Sequence, residues 1–288
     1  MYETRMITLA DGRDLAWLEM GDPHGKPVFA FHGTPGSRLS FVTDDSTIDD
    51  SGVRLICPDR PGYGHSSFHR GRRLPDWPGD VAQLADHLGT SRFGVIGVSG
   101  GGPHALACAA LLPQQVTAAA IVSGVGPLHL AEATDGMLAL NRFNTALSRR
   151  APVLTRPLSR LMADFARRSP DRAIDEFIKR MPPADRAVLA RPEVRAAFTA
   201  DMRQSSRTSG RAASQDFALF AHDWGFALGD ITVPVHFWQG DADINVPPHH
   251  ARLQHEAIPG SVLIECPAEG HLLVFAHVTE ILDFLRVR

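Results

Sequence analysis

Residues 92–112 read RFGVIGVSGGGPHALACAALL, and the fold follows from them. Phe93, Val95, Ile96 and Val98 form a β-rich apolar run. It ends in Gly97-Val98-Ser99-Gly100-Gly101, and a small-residue helical pattern begins at once. This is G-x-S-x-G between a strand and a helix, the nucleophile elbow. The turn is so tight that its neighbours must lack bulk, which accounts for Gly97, Gly100 and Gly101. It lifts the Ser99 hydroxyl to the end of a sheet, above a helix N-terminus whose free N–H groups favour a developing oxyanion. A glycine-rich strand–helix turn with an ordinary serine would read the same way locally, so the rest of the chain has to decide.

The rest of the chain is built like that stretch. Residues 6–9 and 15–20 are β-like runs around Asp11-Gly12, a hairpin signal. Residues 28–31 are short and continuously apolar, as in a strand buried on both faces, and 53–57 and 117–123 read as further buried strands. Residues 74–88 carry Val81, Leu84, Ala85 and Leu88 at helical spacing. Two strands followed by strand–helix alternation imply a mostly parallel sheet with helices on both faces, including a helix between the strands at 28–31 and 53–57. In such sheets the site lies at the carboxyl ends of the strands. Two more glycine-rich loops end strands there: His32-Gly33-Thr34-Pro35-Gly36-Ser37-Arg38, and the 59–67 loop, DRPGYGHSS. An oxyanion hole needs two donors converging on one point, and the candidates are the amides of Thr34 and Gly100. Pro35 has no N–H and can only stiffen its loop.

Residues 127–229 differ in character: helical, rich in Arg, Ala and Leu, with no convincing strand. They hold sixteen Lys/Arg against eleven Asp/Glu, whereas the remainder holds thirteen against twenty-one. Prolines at 152, 157, 170, 182, 183 and 192 break the segment into short helices. It reads as a helical cap inserted into a core made of residues 1–126 and 230–288, its positive charge being a solvated helix surface. Strand text resumes at 233–238 and 261–266, with a helix at 248–257 between them. Glu269-Gly270-His271 opens a last helix reaching about Arg286.

A serine hydroxyl needs a base, and an imidazole base needs a carboxylate to hold its tautomer. Ser99, Asp243 and His271 occur in the order Ser, acid, His, each just past a predicted strand. With the motifs at 32–36, 59–66, 97–101, Gly240-Asp241-Ala242-Asp243, Val246-Pro247 and Gly270-His271, the whole chain resembles the α/β-hydrolase superfamily. The resemblance implies an eight-stranded mostly parallel sheet with helices on both faces and an inserted helical cap. It implies Ser99 as nucleophile, Asp243 as acid, His271 as general base, and Thr34 and Gly100 as oxyanion donors. It puts the acid three residues after Gly240, which favours Asp243 over Asp241, and gives the 59–67 loop a supporting role. A serine at the elbow separates the chain from the dehalogenase and epoxide-hydrolase branches, which carry an aspartate there.

The expected activity is cleavage of a small carboxylic ester or lactone through an acyl-enzyme, with a small-molecule acyl substrate as partner and no cofactor or metal. Alternatives on the same residues are an aminopeptidase acting at N-terminal proline, a carbon–carbon bond hydrolase with Arg38 holding a carboxylate, an acyltransferase, and a non-catalytic ligand-binding protein. A net charge of -3 gives no reason to expect nucleic acid or a membrane surface. Cys57, Cys108 and Cys266 sit far apart in apolar runs and read as buried thiols. That pattern and the absence of a signal-like N-terminus fit a cytoplasmic protein. Oligomeric state stays open.

Overall fold

A computed structural model describes residues 3–42, 45–130, 132–208 and 210–288. Its centre is one eight-stranded sheet in the order β1-β2-β4-β3-β5-β6-β7-β8. β1 (Arg5–Thr8) and β2 (Asp14–Gly21) form the expected antiparallel hairpin. β2 also pairs antiparallel with β4. From β4 onward every pairing is parallel, through β3 (Lys26–Phe31), β4 (Val53–Pro58), β5 (Phe93–Val98), β6 (Val116–Val122), β7 (Val235–Gly240) and β8 (Val262–Cys266).

Strand side chains alternate between faces, so each central strand feeds two cores. Phe29, Phe31, Phe93, Val95 and Ile121 pack on one face. Val28, Ala30, Ile96, Ala120 and Val122 pack on the other. Two-sided burial is why these strands are apolar throughout. α1 (Asp45–Asp49) follows β3, α2 (Trp77–His87) follows β4 and α3 (Gly102–Leu111) follows the elbow. α2 and α3 cover the first face through Val81, Leu84, Ala105 and Leu106.

Between β6 and β7 the described chain is helical, as α4 (Ala139–Arg150), α5 (Pro152–Arg168), α6 (Pro170–Ile178), α7 (Pro183–Leu189), α8 (Pro192–Ser205) and α9 (Arg211–Phe220), with short 3-10 turns. α10 (His249–Ala257) crosses from β7 to β8. α11 (Val274–Arg286) covers the second face with Ile281, Leu282 and Leu285. No described helix is long and apolar enough to cross a membrane.

Three expectations need correction. The helix between β3 and β4 shrinks to one 3-10 turn, Arg38–Phe41, and the five residues of α1. Its first amides are claimed from outside, that of Ser37 by Asp201 and that of Arg38 by Asp59. Most cap prolines start helices rather than break them, because the first helical position needs no N–H donor. Pro152, Pro170, Pro183 and Pro192 open α5 to α8, and Pro157 lies inside α5. The last helix begins at Val274, leaving His271 in a turn whose amides a cap carboxylate holds.

Candidate active site

β5 delivers Ser99 at φ +53°. For a residue with a Cβ this left-handed conformation costs about 1–2 kcal/mol, and the surroundings must hold it. The Val125 amide donates to the Ser99 carbonyl at 3.0 Å. The glycines around it are enforced by contact. A Cβ at Gly97 would overlap the Gly101 carbonyl, one at Gly101 the Phe31 carbonyl, and one at Gly100 the Thr34 hydroxyl. The elbow is therefore wedged against the end of β3.

The β7–β8 end supplies the other two groups. Asp243 Oδ1 accepts the amides of Asn245 and Val246, each at 2.9 Å, in the tight turn after β7. Its Oδ2 lies 2.8 Å from His271 Nδ1. A carboxylate there can only accept, so Nδ1 carries the proton and Nε2 is left as a base. Burial lowers the pKa of His271, but the charge and hydrogen bond of Asp243, with the charge of Asp185, outweigh it and leave the pKa raised. Asp241 instead ties the loop after β7 to the loop after β8, accepting the Ala268 amide at 2.7 Å. Ser99 and His271 line one cavity. The Ser99 hydroxyl makes no hydrogen bond among the described residues.

Gly33, Thr34 and Gly100 line the same cavity beside Ser99. The Thr34 and Gly100 amides donate to no carbonyl among the described residues, so they remain open to an acceptor above the serine. The loop carrying Thr34 is held from beneath by a buried polar cluster. Asp216 of α9 accepts from the Thr34 hydroxyl at 2.8 Å, Arg60 at 2.6 Å and Tyr63 at 2.8 Å, and also from Arg72. Burial opposes its charge, yet the two guanidiniums hold its carboxyl far below the usual range. Arg60 also donates to the Gly33 carbonyl at 2.8 Å. His104 reaches the Gly100 carbonyl through Nδ1 at 2.9 Å, and burial beside Arg60 keeps it neutral, so Nδ1 is its donor. His32 organises its loop, with Nδ1 on the Gly33 carbonyl and Nε2 accepting the Arg60 amide.

Sequence reasoning placed none of the carboxylates between β6 and β7, yet three of them hold loops of the site, two on the loop after β3 and one on the turn of His271. Asp216 holds the Thr34 loop. Asp201 of α8 accepts the Ser37 amide at 2.8 Å and the Ser40 hydroxyl at 2.9 Å, and burial pushes its pKa up to about 7. Asp185 of α7 accepts the amides of His271 at 3.0 Å and Leu272 at 2.8 Å. Residues 127–229 hold eleven acids, and nothing in their spacing marks these three.

The cavity is about 760 Å³, within the range of small-molecule sites. Its walls are mainly apolar, with Leu128, Met137, Phe177, Phe198, Phe217 and Phe220 among them. Arg38 is not a substrate ligand: it is buried, and its guanidinium pairs with Asp59 at 2.7 Å. Trp224 packs in the core. Among the described residues Cys266, Glu269 and His277 could together hold a metal. His277 there already pairs with Glu269 and Glu280, and burial pushes the Cys266 thiol up to about 11, so the set reads as an ion pair beside a neutral thiol.

Comparison with known proteins agrees with this architecture. A probable proline iminopeptidase of Streptomyces coelicolor is 33% identical over 124 residues, a match covering 40% of this chain and only 38% of that protein. Among solved structures, the epoxide hydrolase CorEH superposes with a TM-score of 0.76 over 100% of both chains at 19% identity. An esterase from Exiguobacterium antarcticum gives 0.69 over 97% of each chain, also at 19% identity. At such identities the likeness is one of fold. A family model described as alpha/beta hydrolase fold matches residues 26–278, and by that match the chain belongs to the alpha/beta hydrolase family.

Proposed function

We propose that this protein is a serine hydrolase that cleaves small carboxylic esters or lactones through an acyl-enzyme. One observation carries the reading: Ser99 and His271 share a cavity wall, and Asp243 fixes the proton of His271 on Nδ1, leaving Nε2 to take the serine proton. Ser99 Oγ attacks the acyl carbonyl as His271 Nε2 accepts its proton. The negative oxygen so formed is received by the amides of Thr34 and Gly100. Collapse expels the alcohol, which His271 protonates. Water, deprotonated by His271, then attacks the acyl carbon and releases Ser99 by the reverse route. The helices between β6 and β7 act as a lid that walls off this space.

Aminopeptidase action, suggested by the partial likeness to the Streptomyces protein, would need a carboxylate free to hold a substrate ammonium. Asp201 and Glu176 reach the cavity wall. Asp201 is engaged by Ser37 and Ser40, and Glu176 by Lys179. Both being engaged supports the ester reading over the peptide one. The test is turnover of p-nitrophenyl esters of graded acyl length beside proline p-nitroanilide, with Ser99→Ala in parallel. Ester turnover that vanishes in the variant supports the proposal. Turnover of the anilide alone reverses the preference, and ester turnover that survives in Ser99→Ala removes the serine from the mechanism.

A further inference from the structure

The charge of -3 for the whole chain conceals a sharp local imbalance. Residues 139–168, which form α4 and α5, carry seven arginines and a single acid, Asp164. All seven arginines are exposed. Among the described residues one acid serves them, Asp164, which pairs with Arg167 at 3.0 Å and also feels the charges of Arg160 and Arg168. The same helices expose large apolar side chains: Leu140, Phe143, Leu154, Leu161, Met162 and Phe165, with Leu161 at 67%. On α5 the positions 154, 158, 161 and 165 repeat at helical spacing and share one face. Thr155 and Ala163, on another face, are the ones buried in the protein. Arg156, Arg160 and Arg167 lie on a third.

Monomeric surfaces rarely gather apolar side chains of this size without a partner. Arg150 on α4 and Arg168 on α5 flank these side chains by helical position, and like charges there add mutual repulsion. A partner that relieves both must offer negative charge and an apolar interior together. Nucleic acid offers the charge alone. A second copy of this chain would bring arginines against arginines. An anionic lipid surface offers both, with arginine stems lying along the acyl boundary and their guanidiniums at the phosphates.

We propose that the α4–α5 face docks this protein on anionic phospholipid bilayers. Leu140, Met162 and Phe165 belong both to this face and to the wall of the cavity that holds Ser99. The docked face thus borders the cavity, and ester substrates that partition into lipid enter directly from it. That last step rests on reading the cavity as an ester site; the docking itself does not.

The test is co-sedimentation of the Ser99→Ala protein, which needs no turnover, with two kinds of vesicle. One is phosphatidylcholine alone, the other phosphatidylcholine mixed with phosphatidylglycerol. Each basic side chain near an anionic surface adds about fivefold in partitioning, so preference for the anionic vesicles of about tenfold or more is expected. Leu154→Ser with Leu161→Ser keeps the charge, touches no cavity residue and is expected to abolish the binding with the thermal midpoint unchanged. Equal binding to both vesicles, or none, overturns the proposal. So does anionic binding that the double variant retains, which would be surface adsorption of charge. A dimer in sedimentation velocity that the double variant dissolves would assign the face to self-association instead. If vesicles bind but no ester turns over, docking stands and the hydrolase reading fails.

Discussion

Replacing Asp243 by asparagine tests the roles of three groups at once. The two oxygens of Asp243 face different partners. Oδ1 accepts two backbone amides at 2.9 Å, a position only an acceptor fills. The asparagine oxygen takes that side, so its NH2 turns to His271 Nδ1, where Oδ2 stood at 2.8 Å. Two donors cannot face each other. The imidazole must shift its proton to Nε2, and Nε2 can then no longer accept from Ser99. In the well-studied serine protease triad the equivalent change costs about 10⁴ in kcat, or roughly 5.5 kcal/mol of barrier. A loss of about 10³–10⁴ in kcat with p-nitrophenyl esters is therefore expected. The fold should survive, because asparagine keeps both amide bonds, and Gln239, which loses its 3.4 Å contact with Oδ2, still donates to the Gly240 and Val246 carbonyls. Asp241→Asn, two residues earlier in the same loop and exposed, should stay within about threefold of the native rate, as surface substitutions usually do. An Asp243→Asn enzyme that keeps a tenth or more of its kcat refutes the reasoning. So does a loss matched by Asp241→Asn.

The remaining outcomes bear on pH and on the cap. Since the pKa of His271 is raised, and the base must be neutral to act, kcat/KM should fall as pH drops through a midpoint above that of an ordinary histidine. Asp185→Asn removes one of the charges that raise it and loosens the turn holding His271; its acid limb should move to lower pH and its kcat fall more than its KM rises. An unchanged pH profile would leave Asp185 with packing alone. Asp216→Ala strands two buried guanidiniums at a cost of about 3–5 kcal/mol, lowering Tm by roughly 10 °C in a melting scan. The depressed pKa of Asp216 gives stability that is fully present above the ordinary carboxylate range and is lost only as pH falls through the lower folded value. Asp201 has the opposite sign: its carboxyl is raised to about 7, so the folded state holds its proton longer and stability falls as pH rises from about 4 to 7. Asp201→Asn should flatten that fall and raise Tm at pH 8 by about 2–4 °C, checked by melts across the range. A lower Tm at pH 8 would contradict it.

What the sequence revealed and what it hid divide along a physical line. The strands were legible because burial on both faces leaves apolar runs such as 118–122 with no polar position. The elbow was legible because its glycines answer to clashes that any larger residue would meet. Helix starts in the cap were misread for want of context: a proline breaks a helix or opens one according to what precedes it. The start of α11 could not be read at all, since it depends on Asp185, 86 residues earlier, taking the His271 amide. Asp201 and Asp216 were hidden for the same reason. Their partners, Ser37 and Arg60, lie 164 and 156 residues away, and a single carboxylate in a helix looks the same in water as in a buried cluster. The charge asymmetry of the cap was visible, but its apolar counterpart on α5 was not. Amphipathic spacing does not say which apolar face meets the core and which meets water.

The central claim is that Ser99 is a live nucleophile served by His271. Its most direct test is active-site labelling with a fluorophosphonate, read by mass spectrometry of the peptide that contains Ser99. The account expects one phosphonate per chain, on Ser99. Label should be absent from Ser99→Ala and slowed to near background in His271→Ala. An unlabelled Ser99 in folded protein, or label that persists in the Ser99→Ala chain, would contradict it.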